Sequence, residues 1–417
     1  MTILVAGAGI SGLTFALTCY ELGLDVKVFE AVREIQPLGV GINLQPNAVR
    51  ELFQLGLEPD LRAIGIEAEE WALFFYGGYP IWSEPRGTSA GYRWPQFSVH
   101  RGQFQMKLLQ RVRERLGADC VQSDARLLGY VNQPEGIVAQ FETSAGERFD
   151  VQGSLLIGAD GIHSATRAQM YPSQGDVNWN GAVMWRGVSR VKPPRTQNTF
   201  LCLGGMNQRF VCYPVEPLDS NGETLLNWIA ELRGEQAQID QSDWNRSALA
   251  EAFMPHFAEW KFDWLDVPEI VGRAQGIWEF PMVDRDPVAC WVDGHAALIG
   301  DAAHAMFPHG SGGASQGIVD TRVLGACLQE HGVMSEALLA YQSRLLEPVN
   351  QIVLRNRGEG PLGVLLDIEQ RLEAGSTLEQ AVDQQVVAAF MADYKSAAGT
   401  ARDALHAAPP TIEPPGP

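Results

Sequence analysis

The chain has 417 residues, 46% of them hydrophobic and 19% charged, the make-up of an ordinary globular protein with core enough for two joined domains. Its 31 Lys and Arg stand against 50 Asp and Glu, a formal net charge of −19; that field repels nucleic acid and anionic lipid, so neither nucleic acid nor membrane is expected as a partner. No apolar run is long enough to cross a bilayer, the N-terminal run lacks the basic lead of a signal peptide, and the six cysteines and eight histidines show neither CxxC nor HExxH spacing, which predicts no metal centre and buried free thiols in a cytoplasmic protein.

Residues 4–12 read LVAGAGISG, an apolar strand signal that runs through Gly7, Gly9 and Gly12 into a helical pattern. The next apolar run, VKVFE, ends on Glu30. This is the pattern of a βαβ unit that holds a dinucleotide: Gly7 for the tight turn, Gly9 for backbone approach to a pyrophosphate, Gly12 for close helix–strand packing, and Glu30 for the ribose hydroxyls. The helix opening at Ile10 and Ser11 turns free N–H groups toward the phosphates. The segment PLGVGINLQPNA is punctuated by Gly and Pro, VRELFQLG is a short helix, and residues 71–99 alternate aromatic and polar residues as strands do. Residues 103–116 predict an amphipathic helix with Phe104, Leu108, Leu109, Val112 and Leu116 on its apolar stripe, stopped by Gly117.

After the buried-type run SLLIGADG the character changes. GAVMWRGVSRV, NTFLCLGG, RFVCYPV, TLLNWIAEL and QGIWEFPMV read as strands of a mostly antiparallel sheet, with a helix near 247–257. The segment AALIGDAAHAMFPHGSGGASQGIVD returns to strand, glycine loop and helix. Helices fill 320–395 with breaks at Pro348 and Gly358–Gly363, and HAAPPTIEPPGP is too proline-rich to pack. The expected fold is α/β. A discontinuous Rossmann-like domain is built from 1–70, 100–178 and 282–345, with a mostly antiparallel sheet domain inserted from 71–99 and 179–281. C-terminal helices occupy 346–400, and a disordered tail covers 406–417.

Two aspartates, Asp160 in GADGIHSATR and Asp301 in ALIGDAAH, follow buried strands. Each either projects toward a ligand from the carboxyl end of its strand or caps the helix that follows. At Asp301 the glycines that follow, Gly310, Gly312, Gly313 and Gly317, favour the ligand reading. Bare backbone at a helix N-terminus stabilises negative charge on a nearby ring. A reduced flavin carries such charge and a nicotinamide does not, so FAD is the expected resident cofactor.

Taken together, the GxGxxG run with Glu30, the GADGIHSATR segment and the GDAAHAMFPHGSGGASQG segment resemble, in order and spacing, the three signatures of the single-component FAD aromatic hydroxylases of the p-hydroxybenzoate hydroxylase type. More narrowly, PLGVGINLQPNAV, WSEPRG, HRGQFQMKLL, MWRGV and PMVDRDP are similar to the 5-methylphenazine-1-carboxylate monooxygenases. The resemblance implies that NAD(P)H reduces bound FAD and leaves, that O2 is trapped as a C4a-hydroperoxide, and that an aromatic or heteroaromatic ring such as a phenazine carboxylate is hydroxylated, with decarboxylation as one variant. A flavin-dependent dehydrogenase or reductase on the same scaffold is the alternative.

The resemblance also implies which residues take part. Gly9, Ser11, Glu30 and Ala31 would lie beside the ADP half of FAD, Arg101 over its pyrophosphate and Asp301 on the ribityl chain. Pro308 would lie close to the isoalloxazine, Gly313 and Ala314 would meet the flavin carbonyl, Gly41 would also bind the cofactor, and Asp160 would serve both FAD and nicotinamide. Met184, Trp185, Tyr213, Trp228 and Trp278 either roof the substrate or form ordinary core. Arg186 either pairs with a substrate carboxylate or faces solvent. His304 and His309 flank the flavin loop, His304 as a structural residue and His309 beside the pocket, and no general base is assigned. A monomer or homodimer is expected.

Overall fold

The structure, a computed structural model, describes residues 1–37, 39–234 and 246–413. Leu38 of the PLGVG segment, residues 235–245 of the expected inserted domain and residues 414–417 of the expected tail lie outside them. The chain opens with β1 (Ile3–Ala6), α1 (Ile10–Glu21), β2 (Val26–Phe29), β3 (Gly41–Leu44), α2 (Pro46–Gln54), α3 (Glu58–Ile64) and β4 (Gly65–Ala68). It continues through β5 (Glu70–Phe75), β6 (Tyr79–Pro85), β7 (Gln96–His100), α4 (Arg101–Leu116), β8 (Val121–Gln122), β9 (Arg126–Gln133), β10 (Gly136–Glu142), β11 (Arg148–Gly153), β12 (Leu155–Gly158) and α5 (Ala165–Met170). The inserted sheet carries β13 (Asn178–Val191), β14 (Thr199–Gly204), β15 (Gln208–Pro214), β16 (Thr224–Arg233), β17 (Arg246–Ser247), α6 (Met254–Phe257), β18 (Lys261–Phe262), β19 (Leu265–Asp266), α7 (Val267–Gly272) and β20 (Ala274–Asp284). The chain returns with β21 (Val292–Asp293), β22 (Ala296–Leu298), α8 (Asp301–His304), α9 (Gly313–His331) and α10 (Ser335–Arg357), then α11 (Gly363–Glu373), α12 (Leu378–Ala381), α13 (Gln384–Ala397) and α14 (Arg402–Ala407).

The first sheet runs β21–β22–β12–β1–β2–β8 and is parallel except at its β21 edge. Such strands are buried on both faces and read as continuous apolar runs, as LLIG in β12 does. The two faces of β1 meet different partners. Ile3 and Val5 join the helical core with Leu13 and Phe15 of α1, Leu108 of α4 and Leu324 of α9. Leu4 and Ala6 pack with Phe29 against Leu127, Ile137 and Phe141 of the antiparallel sheet β9–β10–β11. A β-meander thus covers the face that a doubly wound Rossmann sheet would cover with helices.

The second sheet runs β17–β20–β13–β16–β15–β14–β5–β6, antiparallel except where β5 lies parallel to β14. The 71–99 segment therefore divides. Its β5–β6 hairpin joins this sheet, whereas β7 pairs with β3 and β4 instead, because Phe97 and Val99 bury into the helical core. Three further expectations are corrected. The helix near 247–257 is reduced to a 3-10 turn at Ala250–Ala252 and the four-residue α6, which restarts around Pro255. Helix α10 runs through Pro348 without a break; Pro348 is exposed, so the hydrogen bond it forfeits lies on the solvent side, where water serves the freed carbonyl.

The tail, expected to be disordered from 406, is docked up to Glu413. Arg50 donates to Pro409 O and Thr411 Oγ1 (2.5 and 3.1 Å), Thr411 Oγ1 donates to Glu51 (2.7 Å), and Ile412 is buried at 3% exposure.

Candidate active site

The first and third sheet-end loops converge on one cleft, and glycines make the convergence possible. Gly7 has φ +107°, and a Cβ there would stand 2.3 Å from Ala159 O. A Cβ on Gly12 would stand 2.0 Å from Gly7 O. A Cβ on Gly300 or Gly317 would reach Ser11 Oγ at 2.5 or 2.4 Å, so the late glycine segment packs on the start of α1. Gly9 is different. Nothing lies within 4 Å of where its Cβ would be. Helices α1 and α9 begin on Gly9 and Gly312 with no side-chain cap and no acidic residue in the first turn. Their first N–H groups are the unsatisfied donors every helix start carries, and both line the same cleft of about 440 Å³.

The cleft wall also holds Ser11, Gly41, Arg101, Asp301, Pro308 and Ala314. Asp301 is exposed to it and makes no hydrogen bond among the described residues. The turn that presents Asp301 is fixed from beneath by buried Asp320. Its Oδ2 accepts from Gly300 N at 2.8 Å and pairs with His304 Nε2 at 2.5 Å, and its Oδ1 accepts from Gln316 Nε2 at 3.0 Å. Burial opposes charge on His304, but Asp320 holds its pKa above the ordinary value. The role of His304 is architectural.

Glu30 and Ala31 sit at the end of β2 and are not among the cleft-lining residues. Glu30 accepts from Ala8 N (2.7 Å) and Val32 N (3.0 Å), which fixes the glycine loop and leaves each oxygen a further lone pair. Asp160 is tied to the start of α5, whose N-cap residue is Ser164. Its carboxylate accepts from Thr166 N and Oγ1 (both 3.1 Å) and from Ser164 Oγ (2.5 Å). Only its neighbours Ala159 and Gly161 line the cleft. Burial raises the Asp160 pKa against those hydrogen bonds.

Strand alternation sorts the expected pocket residues. Met184 and Arg186 on β13 and Tyr213 on β15 line the cleft, as does His309. Trp185 and Trp228 are on the opposite face. Trp185 stacks on Phe253 at 4.9 Å and donates to Glu279 Oε2, and Trp228 is wholly buried and donates to Ser189 Oγ. These two are core. Trp278 pairs in register with Arg186 on β20 but is half-buried outside the lining. Arg186 sits deep in the fold. Its Nη2 donates to Gly41 O at 3.1 Å, its guanidinium lies 5.8 Å from the Phe280 ring centroid, and its Nε has no partner. Burial, then nearby Arg101, lowers its pKa against the opposing pull of Tyr213. Tyr213 itself is pushed up to about 12 by burial.

Sequence reasoning passed over several residues of this site. Asn227 on β16 accepts from Gly41 N at 2.7 Å and so positions the β3 backbone at the cleft. Behind His309 lies a buried network. Arg209 pairs with Glu231 and with Glu359 (Nη1–Oε2, 3.0 Å), and Arg233 reaches Glu359 Oε1 at 2.6 Å. Asn227 and Glu231 were visible as polar residues inside the otherwise apolar run LLNWIAEL, the pattern that signals buried, partnered groups. His309 Nδ1 contacts Asn356 O at 2.9 Å. A carbonyl only accepts, so Nδ1 carries a proton; burial, then Arg209, lowers the pKa of the ring against the pull of Glu359 and Glu231. With Nε2 at 3.2 Å from Glu359 Oε2 and 3.4 Å from Arg209 Nη2, His309 is occupied at both nitrogens.

Comparison with known proteins agrees with this architecture. The family described as FAD binding domain matches residues 1–356. The phenazine 1,6-dicarboxylic acid hydroxylase PhzS of Lysobacter antibioticus is 40% identical over 361 residues, 85% of this chain and 89% of that protein. The aurachin C monooxygenase/isomerase of Stigmatella aurantiaca is 31% identical over 366 residues, 87% and 90% of the two chains. The solved structure of Klebsiella pneumoniae HpxO complexed with FAD and uric acid shares the fold with a TM-score of 0.77 at 22% identity, covering 96% of this chain and 97% of that one. The chain belongs to the FAD binding domain family, among the flavin-dependent aromatic hydroxylases.

Proposed function

We propose that this monooxygenase hydroxylates a planar heteroaromatic acid of the phenazine-carboxylate kind, and that Arg186 receives the carboxylate. The observation that carries the reading is a guanidinium on the cleft wall that meets a backbone carbonyl and an aromatic ring but no carboxylate among the described residues. An Arg in such surroundings is completed by a charged acceptor. The name of the 40% identical relative supports the same ligand class.

The cradle fits FAD. The two uncapped helix starts, the open face of Gly9, the unengaged Asp301 and the exposed Arg101 offer donors to phosphates and an acceptor to hydroxyls. Gly7, Gly9, Ser11, Gly12, Glu30 and Ala31 would hold the ADP half, Arg101 and Asp301 the middle, and Gly41, Pro308, Gly313 and Ala314 the ring. When bound, FAD supplies the redox chemistry, two electrons from NAD(P)H and the activation of O2. The protein's share is to place the ring, to keep water out with Phe200, Val211, Ile229 and Met391, and to meet negative charge with the N–H groups at the start of α9. No general base toward the ring is assigned; both ring nitrogens of His309 are engaged within the protein. The balance is one oxygen atom into a ring C–H bond and the other to water, with loss of CO2 where the attacked carbon bears the carboxylate.

The test is incubation of the FAD-loaded protein with NAD(P)H, O2 and a panel of phenazine, quinoline and benzoate acids, with products weighed by mass spectrometry. A gain of one oxygen, with or without loss of CO2, is expected for a phenazine acid. NAD(P)H oxidation that proceeds equally under argon with an organic acceptor would instead identify a reductase. Arg186→Ala is expected to raise the KM for the acid about tenfold or more, the worth of a lost charge-assisted hydrogen bond, with flavin content unchanged. An unaltered KM removes Arg186 from substrate binding.

A further inference from the structure

The cleft has a second cationic end. Its floor is the second sheet, and it runs from Arg186 on β13 across β16, β15 and β14 to Trp71 on β5. There the Arg86 guanidinium lies 5.0 Å from the Trp71 ring centroid, with Nη2 2.8 Å from Glu84 Oε1. Lys395 of α13 reaches the other oxygen of the same carboxylate, Nζ to Oε2 at 2.8 Å. Arg86 and Lys395 both line the cleft. Two cations on one carboxylate leave a net positive charge here, in a protein whose formal charge is −19. Arg86 Nε is buried and has no partner. Between the two ends the lining includes Phe200, Cys202, Val211, Ile229 and Leu362, with Tyr213 beside them and Glu231, which is tied to Arg209, at the edge.

The spacing decides what the two ends can share. Neighbouring strands lie about 4.8 Å apart, so four strand steps separate Arg186 from the Trp71–Arg86 pair by roughly 19 Å at the backbone. Two guanidinium groups so placed do not converge on one small carboxylate. They suit opposite ends of an elongated planar ligand whose middle is apolar.

We propose that Arg86, with Lys395 beside it, is a second acid-binding end of the cleft, so that the preferred substrate is an elongated fused-ring dicarboxylate held between Arg186 and Arg86. This rests on the carboxylated-ring reading of the Arg186 end. The bland alternative is that Glu84 merely ties α13 to β6 through Lys395. A structural tie of that kind affects every substrate alike.

The experiment uses the FAD-loaded enzyme with phenazine-1,6-dicarboxylate and phenazine-1-carboxylate as probes. Arg86→Ala is expected to raise the KM of the diacid about tenfold or more and to leave that of the monoacid within about twofold, with flavin content unchanged. Arg86→Lys, which keeps the charge and loses the fork, should recover part of the diacid KM. Lys395→Met should shift the diacid in the same direction by a smaller factor, and it covers the case in which Arg86→Ala folds poorly. An equal rise for both acids, a diacid KM unmoved by both Arg86→Ala and Lys395→Met, or wild-type turnover of the monoacid with none of the diacid overturns the two-ended site. Turnover of neither acid overturns the carboxylated-ring reading and this inference with it.

Discussion

Gly12→Ala should yield a colourless protein that melts well below the wild type, whereas Gly9→Ala should fold normally and lose flavin alone. The difference lies in what each new methyl group meets. At Gly12 it would stand 2.0 Å from Gly7 O and 3.1 Å from Gly7 C, both backbone atoms. Gly7 cannot retreat, because it is itself wedged at φ +107° against Ala159 O. Overpacking a core side chain costs about 1–3 kcal/mol, and a clash between two backbone segments belongs at or above the top of that range. At Gly9 the backbone has φ −72°, open to any residue, and no protein atom lies within 4 Å. An alanine there leaves the fold intact and puts a methyl group on the face that a pyrophosphate must approach. Flavin-to-protein absorbance ratios and thermal melts with and without added FAD check both outcomes. Wild-type flavin retention in Gly9→Ala would move the phosphate site elsewhere.

What the sequence disclosed was local. The turn at Gly7–Gly12 and the loop at Gly310–Ala314 are specified by residues next to one another, so their geometry could be read before any partner was known. The β13 strand shows where this stops. Period-two alternation does separate Met184 and Arg186 from Val183 and Trp185, but both sets carry large side chains and both faces are covered. One face meets the cleft, and the other meets Phe253 and Phe257, 60 or more residues away in sequence. Nothing in MWRGV decides whether Trp185 faces pocket or core, so the sequence leaves both open.

Asp160 was legible in both its possible roles, and Ser164 and Thr166 downstream both donate to it and tie it to the start of α5. The tail failed for a third reason. Proline-rich composition argues against self-packing, but an extended chain presents unpaired carbonyls, and Arg50 of α2 takes Pro409 O together with Leu405 O from the last turn of α14. Ile412 then fills the space beside Gly325 of α9. A groove furnished by remote helices leaves no trace in the composition of the segment it receives.

Arg209→Met should cost about 3–5 kcal/mol of folding stability, the range for breaking a buried ion pair from one side, and the loss should shrink as the pH falls. Arg209 is fully buried and holds both Glu231 and Glu359. Methionine fills much of its volume but leaves Glu231 without its cation; Glu359 keeps Arg233 at 2.6 Å. In the wild type, burial and then Arg209 depress the pKa of His309 below its ordinary 6.5. The unfolded chain then binds the proton first, so wild-type stability declines as the pH drops below about 6.5. The net pull of His309, Arg209 and Arg233 outweighs burial and holds Glu359 below its ordinary 4.5. Its contribution is intact above that value and is lost only as the pH falls through the lower folded-state pKa.

Removing Arg209 takes away one cause of the His309 depression, so the variant gives up less between pH 7 and 5 than the wild type does. Protonation also relieves a buried carboxylate that has lost its partner. Both effects have the same sign. Urea unfolding at pH 8 and pH 5 should show the variant's deficit largest at pH 8. A deficit that is constant or grows toward pH 5 would mean that Arg209 contributes as packing and that the charges around His309 are compensated from elsewhere.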